Sequence, residues 1–175
     1  GPLRKVMGIW AEEIDSLLPG DTNVVVGADG NAVGLGQSYE ARDYCDLIHA
    51  ESAEVLAAYG RDFYAGRPAV TVNAFGDGRA YYIASRNDRA FLDDFHGRLM
   101  ADLDVRRPLE AVPPEGVSVA ARTDGKREFL FVMNFTGDSQ AVELGSEPLT
   151  DMISGEHISG AVTLPAFGSR VLQRG

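Results

Sequence analysis

The sequence has little cysteine, little tryptophan and few basic side chains. Cys45 is the only cysteine in 175 residues, which excludes an internal disulfide framework. Trp10 is the only tryptophan. Sixteen Lys and Arg stand against 26 Asp and Glu, for a net charge of −10. That balance argues against nucleic acid as a partner, because neutralising phosphates needs clustered Lys and Arg. It argues equally against an anionic membrane surface and suits a cytoplasmic type of protein. No apolar run approaches the roughly 20 residues needed to span a bilayer. No signal peptide is visible, although the chain opens GPLRKVMGIW, without an initiating Met, as if cut from something longer.

What is present is enough apolar material for a real core. The hydrophobic fraction is 45%, ordinary for a globular chain and sufficient for one domain or two small ones. The sequence VRRPLEAVPPEG, residues 105 to 116, holds three of the eight prolines and reads as a linker over 106–115. It separates a mixed α/β part, 1–105, from an all-β part, 116–175. No internal repeat or low-complexity tract is visible.

In the first part, PLRKVMGIW reads as a short helix with Pro2 near its start, which places Trp10 on a helix. TNVVVGA is a short buried strand. GADGNAVGLGQ, 27–37, reads as a mobile loop. SYEARDYCDLIHAES, AEVLAAYG, RPAVTVNAFG and GRAYYIAS follow as extended segments. NAFGDGRAYYIAS offers Gly76 and Gly78 for a tight turn with positive φ. It is expected to put Tyr81 and Ile83 on one side of the sheet, Tyr82 on the other, and Arg79 within reach of a carboxylate. In SRNDRAFLDDFHGRLMADLDV, Leu92, Phe95, Leu99 and Leu103 recur at helical spacing, and Ser85 with Asp88 resembles a capping box.

The second part opens with a hairpin signal. GVSVAAR and REFLFVMNF flank Asp124-Gly125, a preferred type I′ pair. Phe129, Phe131, Met133 and Phe135 share one face, Leu130 and Val132 the other, as on a central strand. Phe131 and Met133 are expected in the core. SQAVELG, EPLTDMISG and AVTLPAFGSRVLQR add strands, which points to a small antiparallel sandwich or barrel.

The chemistry candidates each have a plainer alternative. GDGRAY lacks the third glycine of a dinucleotide fingerprint and the helix that must follow it. Cys45 and His49 could suggest a thiol and its base, but at strand spacing they stand about 13 Å apart. Cys45 reads as a buried, inert thiol lying under the helix at 88–103. His49, His96 and His157 show no metal-ligand spacing, and His96 belongs at the solvent edge of its helix. Glu12-Glu13 and Asp93-Asp94 read as solvated surface, with no facing pair of glycosidase type. Asn134-Phe135-Thr136 is a glycosylation sequon in mid-strand and reads as structural. The residues therefore nominate no catalytic, cofactor-binding or metal site.

GPLRKVMGIWAEEIDSLLPGDTN and AEVLAAYGRDFYAGRPAVTVNAFGDGRAYYIAS together resemble the second half of the trimerisation domain of family-42 glycoside hydrolases, the bacterial β-galactosidases. LTDMISGEHISGAVTLPAFGSRVLQR resembles that family's small C-terminal β domain. The resemblance covers essentially the whole chain. It implies a partial flavodoxin-like (amidotransferase-like) domain over 1–105 and a β-sandwich over 116–175. It also implies a homotrimer in the parent enzyme, whose catalytic barrel acts on galactosides and is absent here. No catalytic residue carries over to any position of this sequence. The related amidotransferases use a cysteine in a strand-turn-helix setting, which Cys45 lacks. The resemblance thus implies an accessory, oligomer-building segment. Two alternatives are a stand-alone carbohydrate-binding module, which needs exposed coplanar aromatics, and a degenerate amidotransferase-like enzyme, which needs a reactive Cys45.

Overall fold

The computed structural model of the chain describes residues 1–36 and 38–175. It divides into two compact units, Gly1–Val105 and Arg106–Gly175. The first holds α1 (Arg4–Met7), β1 (Ile9–Ser16), β2 (Asn23–Gly27), β3 (Tyr39–Ala50), β4 (Glu54–Tyr59), β5 (Pro68–Phe75), β6 (Gly78–Ile83), β7 (Ser85–Asn87) and α2 (Arg89–Asp102). Among the described residues its seven strands form one sheet in the order β1-β3-β2-β4-β5-β6, with β7 on β3.

Every strand pair described in this sheet is antiparallel. That corrects the expected partial flavodoxin-like domain, which needs a parallel sheet. The reason is the connections. Only Gly76-Asp77 joins β5 to its neighbour β6, and eight residues join β4 to its neighbour β5. Parallel neighbours need crossovers of a dozen residues or more. The unit is β-rich with few helices.

The short helix is one turn, ending at Gly8, and Trp10 lies on β1 rather than on a helix. Asn73 in β5 fastens that turn: its Nδ2 donates to the carbonyls of Val6 (2.8 Å) and Lys5 (3.2 Å), and its Oδ1 accepts from Ser52 (2.9 Å). β1 was hidden in sequence because IWAEEIDS does not alternate. A bulge between Ala11 and Glu13 breaks its register on β3, and bulges interrupt the period of two.

The β5–β6 hairpin forms as expected, but Gly76 alone takes a positive φ (58°), with no such angle at Gly78. A positive angle at the first central residue only is the signature of a type II′ turn. Tyr81 packs edge-on against Phe95 of α2, while Tyr82 on the opposite side donates to Asp46 Oδ2 (2.7 Å). Arg79 is exposed and makes no ion pair among the described residues.

Helix α2 is capped by Asp88 itself, whose Oδ1 accepts from the Phe91 N–H (2.9 Å); Ser85 belongs to β7. Its core face is Phe91 and Phe95, with Leu99 partly buried, whereas Leu92 and Leu103 point outward. Phe91 stacks on Phe95 and takes the edge of Tyr39. Two aromatics at i and i+4 bury more area than the leucines beside them, so they set which face turns inward. The 27–37 loop is anchored rather than mobile over its described residues: Val33 and Leu35 are buried, and Asn31 bonds the Ala28 carbonyl and the Leu35 N–H. Gln37 lies outside the described residues.

The second unit holds β8 (Val117–Thr123), β9 (Glu128–Asn134), β10 (Gln140–Glu143), β11 (Leu149–Asp151), β12 (His157–Ile158), β13 (Ala161–Leu164) and β14 (Ser169–Arg174). A five-stranded antiparallel sheet, β12-β11-β14-β9-β8, and the β10-β13 pair share one core. β9 is central, as its two apolar faces imply. The buried face, however, is Leu130 and Val132; Phe131 and Met133 are only half-buried, and Phe135 lies beyond the strand and is exposed. The β10–β13 layer decides this, since Val142 and Leu164 fill the Leu130 side.

The β8–β9 hairpin also turns differently from expectation. Its tip is Gly125-Lys126, with Gly125 at φ 90°, because Asp124 bonds back across the turn. Asp124 Oδ1 accepts from the Lys126 and Arg127 N–H groups, and Oδ2 accepts from the Arg127 guanidinium. Residues 106–115 carry no helix or strand, yet Leu109 is buried in this unit's core.

Candidate functional site: open faces and closed chemistry

The titratable groups were followed first, because chemistry would be found there. Cys45 is fully buried in β3, and burial pushes its thiol up from the usual value. A thiol held protonated is a poor nucleophile. His49 does not reach it. The imidazole Nε2 sits 2.7 Å from Glu12 Oε2, the ring stacks on Trp10 (4.3 Å between centroids, 5° between planes), and Arg67 Nη1 donates to the same Glu12 oxygen at 2.8 Å. These two donors, His49 foremost, hold the Glu12 carboxyl below its usual range.

Three tyrosines surround this region with their hydroxyls engaged. Tyr64 donates to Asp15 (2.8 Å), Tyr59 to the Ala84 carbonyl (2.8 Å), and Tyr82 to Asp46. Burial, then the bond to Asp46, pushes Tyr82 up to about 12. Tyr59 and Tyr64 are raised as well, chiefly by burial. Phenols held in this way brace the sheet and are not poised to give up a proton near neutral pH.

The other candidates are tied into structure in the same manner. His96 bonds the carbonyl of Leu92 on its own helix (2.9 Å) and is exposed; His157 bonds Thr150 Oγ1 (3.0 Å) across β11–β12. Asp93 pairs with Arg89, and Asp94 accepts from Tyr39 (2.8 Å). The Asn134 amide is buried and saturated. Nδ2 donates to the carbonyls of Asp138 and Pro165, and Oδ1 accepts from the N–H and hydroxyl of Thr136. The sequon is therefore a structural knot. Among the described residues no group of three or more His, Cys, Asp or Glu side chains is placed to hold a metal ion. No helix there is long and apolar enough to cross a membrane.

What the first unit offers to its surroundings is surface. Among the described residues β1 ends the sheet with β3 as its one strand partner. Its burial is low from Trp10 to Ser16, and Ile14 and the following Leu18 are 64% and 70% exposed. Tyr44, opposite Ser16 on β3, is exposed beside them. Sequence reasoning missed this face because β1 itself was missed. On α2, Leu92, Met100 and Leu103 form a second outward stripe, opposite in role to the Phe91–Phe95 face.

The titratable side chains described above are engaged in bonds that hold the fold, and the comparisons give the family. Residues 1–106 match the β-galactosidase trimerisation domain and residues 116–174 the β-galactosidase C-terminal domain. The chain belongs to the family-42 β-galactosidases. β-Galactosidase Pbg of Clostridium perfringens is 47% identical over 174 residues, 99% of this chain and 25% of that protein. β-Galactosidase BglY of Alicyclobacillus acidocaldarius is 44% identical with the same coverage. The crystal structure of the β-galactosidase from Bacillus circulans sp. alkalophilus superposes with a TM-score of 0.86 at 44% identity. It covers all of this chain and 26% of that one. The chain thus spans about a quarter of the length of the relatives it matches.

Proposed function

We propose that this chain is the accessory, oligomer-building C-terminal segment of a cytoplasmic β-galactosidase, with no catalysis of its own. The observation that carries the reading is the match of residues 1–106 to a trimerisation domain, on a unit whose sheet leaves β1 open. The parent enzyme would hydrolyse terminal β-D-galactosides through a barrel outside this sequence and assemble as a homotrimer. We read the division as 1–105 trimerisation segment, 106–115 linker and 116–175 C-terminal β domain, with no nucleic-acid or membrane partner. The test is direct. The purified 175-residue chain is incubated with a chromogenic β-galactoside. Turnover no greater than buffer is expected; turnover that vanishes on replacing one Asp or Glu of this chain would overturn the reading.

A second reading has one observation in its favour. Phe135 and Phe167 are both exposed, on segments of the second unit joined where the Phe167 N–H donates to the Thr136 carbonyl (3.0 Å). Phe167 also holds a positive φ of 54°, a strained state for a bulky residue. Exposed aromatic rings are what a carbohydrate-binding surface would use. Retardation of the chain in a galactan gel, lost in Phe167→Ala, would favour this reading over pure scaffolding.

A further inference from the structure

We propose that residues 108–111 are a strap of the second unit and no part of a free linker. Leu109 and the side chain of Arg174 hold the strap down, which confines the flexible joint between the two units to Arg106 and Arg107. The inference narrows the linker of the reading above and does not depend on assembly.

The polar clip has a rigid mount. β14 lies between β9 and β11, so the Arg174 backbone is paired with Glu128 on one side and Leu149 on the other. From there the guanidinium reaches three partners. Nη1 bonds the Glu128 carboxylate, Nη2 donates to the Pro108 carbonyl (3.3 Å), and Nε stands 3.0 Å from Glu147 Oε2. The Nε N–H is not aimed at that carboxylate, so the Glu147 contact is an ion pair without a hydrogen bond. Only 13% of the Arg174 side chain is exposed. A planar guanidinium already fixed by one acceptor loses little further freedom with each added bond. Holding the Pro108 carbonyl therefore asks for little extra ordering.

Leu109 is the apolar anchor, buried in the same core as Leu130, Val142 and Leu144. Glu110 beside it is exposed. A cavity of about 620 Å³ lies between this segment and the turn at 143–147. The segment is therefore not packed along its whole length and rests on its two anchors. Proline lowers the cost of holding it, since Pro108, Pro113 and Pro114 have few conformations to lose. On the other side of the joint, the Val105 N–H donates to the Met100 carbonyl (2.9 Å), so Val105 belongs to the end of α2. Arg106 and Arg107 remain between these two fixed points. Both are exposed, and Arg106 comes no closer than 4.0 Å to Glu128.

Limited proteolysis of the 175-residue chain tests this, with the fragments identified by mass. A Glu-specific protease cuts after Glu110, in the strap, and after Glu128, inside β9, where cutting requires the whole unit to unfold. A free linker would be cut after Glu110 about as fast as an unfolded peptide of the same sequence. The strap predicts cutting there slower by roughly tenfold or more, because the segment must first lift off the unit. Arg174→Gln removes the charge and the fork. It should raise cutting after Glu110 by roughly tenfold and leave cutting after Glu128 unchanged. Arg174→Lys keeps the charge without the fork and should give a smaller rise, again at Glu110 alone. Wild-type cutting after Glu110 at the rate of the peptide would overturn the strap. So would a folded Arg174→Gln chain with Glu110 still protected. An equal rise at Glu110 and Glu128 in both variants would also overturn it, since the segment would then open only with the whole unit.

Discussion

The two units handle their apolar side chains in opposite ways. The second folds two antiparallel sheets over Leu130, Val132, Val142, Leu164 and Leu172, and its most exposed apolar residues, such as Val112, Ile153 and Phe167, sit in connecting segments. Its outer strand β8 shows solvent Ser118, Arg122 and Thr123. The first unit has the larger core, yet it leaves apolar side chains on a regular strand and a regular helix. Exposed apolar residues on loops are common. The contrast sets the first unit, which matches the trimerisation domain, apart from the second, whose strands turn their apolar side chains inward.

That contrast can be broken most severely from within the second unit's core. Leu130→Ala should cost about 2–5 kcal/mol, the range for a large-to-small change in a packed core. Phe131→Ala, although it removes more atoms, should cost less, because its ring is half-buried. Chemical denaturation of both variants checks the order; a larger loss for Phe131 would put the core on the wrong face of β9. Asp151→Ala comes next. This carboxylate is buried, accepts the Ile153 and Ser154 N–H groups, and pairs with Arg170 at 2.6 Å. Removing it leaves those donors unpaired, for roughly 1–3 kcal/mol. In the first unit, Asp88→Ala removes the cap of α2 and should cost about 1 kcal/mol, read as a lower melting temperature of that unit.

The smallest effect concerns acid. Backbone N–H groups of Arg127 and Lys126, then the Arg127 side chain, lower Asp124 to about 2. A lowered carboxyl adds stability that is present above the ordinary unfolded value, near 3.9, and is lost as pH falls through the folded one. The β8–β9 tip should therefore loosen only between about pH 4 and pH 2, read as loss of amide protection at Arg127. Loosening already at pH 5 would contradict the turn described here. Because the site is solvent-exposed, global stability should barely register it.

Much of the second unit was legible in sequence, since its strands alternate and its turns are short. Which face of β9 is buried was not, because both are apolar and only the β10–β13 layer chooses between them. The first unit was harder to read. Its strands were found from β2 to β6, but their antiparallel pairing follows from connection lengths that the family resemblance obscured. β1 escaped because a bulge and adjacent acids erase its period. On α2, the leucines at 92, 99 and 103 do keep helical spacing, but the aromatic pair at 91 and 95 outweighs them. That left Leu92 and Leu103 outside. Cys45 was read correctly as buried, since its strand neighbours Leu47 and Ile48 are apolar. The His49–Glu12–Arg67–Trp10 cluster was invisible, because it joins residues up to 57 positions apart: the β1–β3 pairing brings Trp10, Glu12 and His49 together, and Arg67, just before β5, reaches the same carboxylate.

The central proposal is that this chain associates through its first unit, the one that matches the trimerisation domain. Sedimentation of the 175-residue chain over a hundredfold dilution tests it most directly. The account requires a mass that is a multiple of 18.8 kDa at high concentration and falls toward that value on dilution. A single species of 18.8 kDa at every concentration, melting cooperatively, would contradict it.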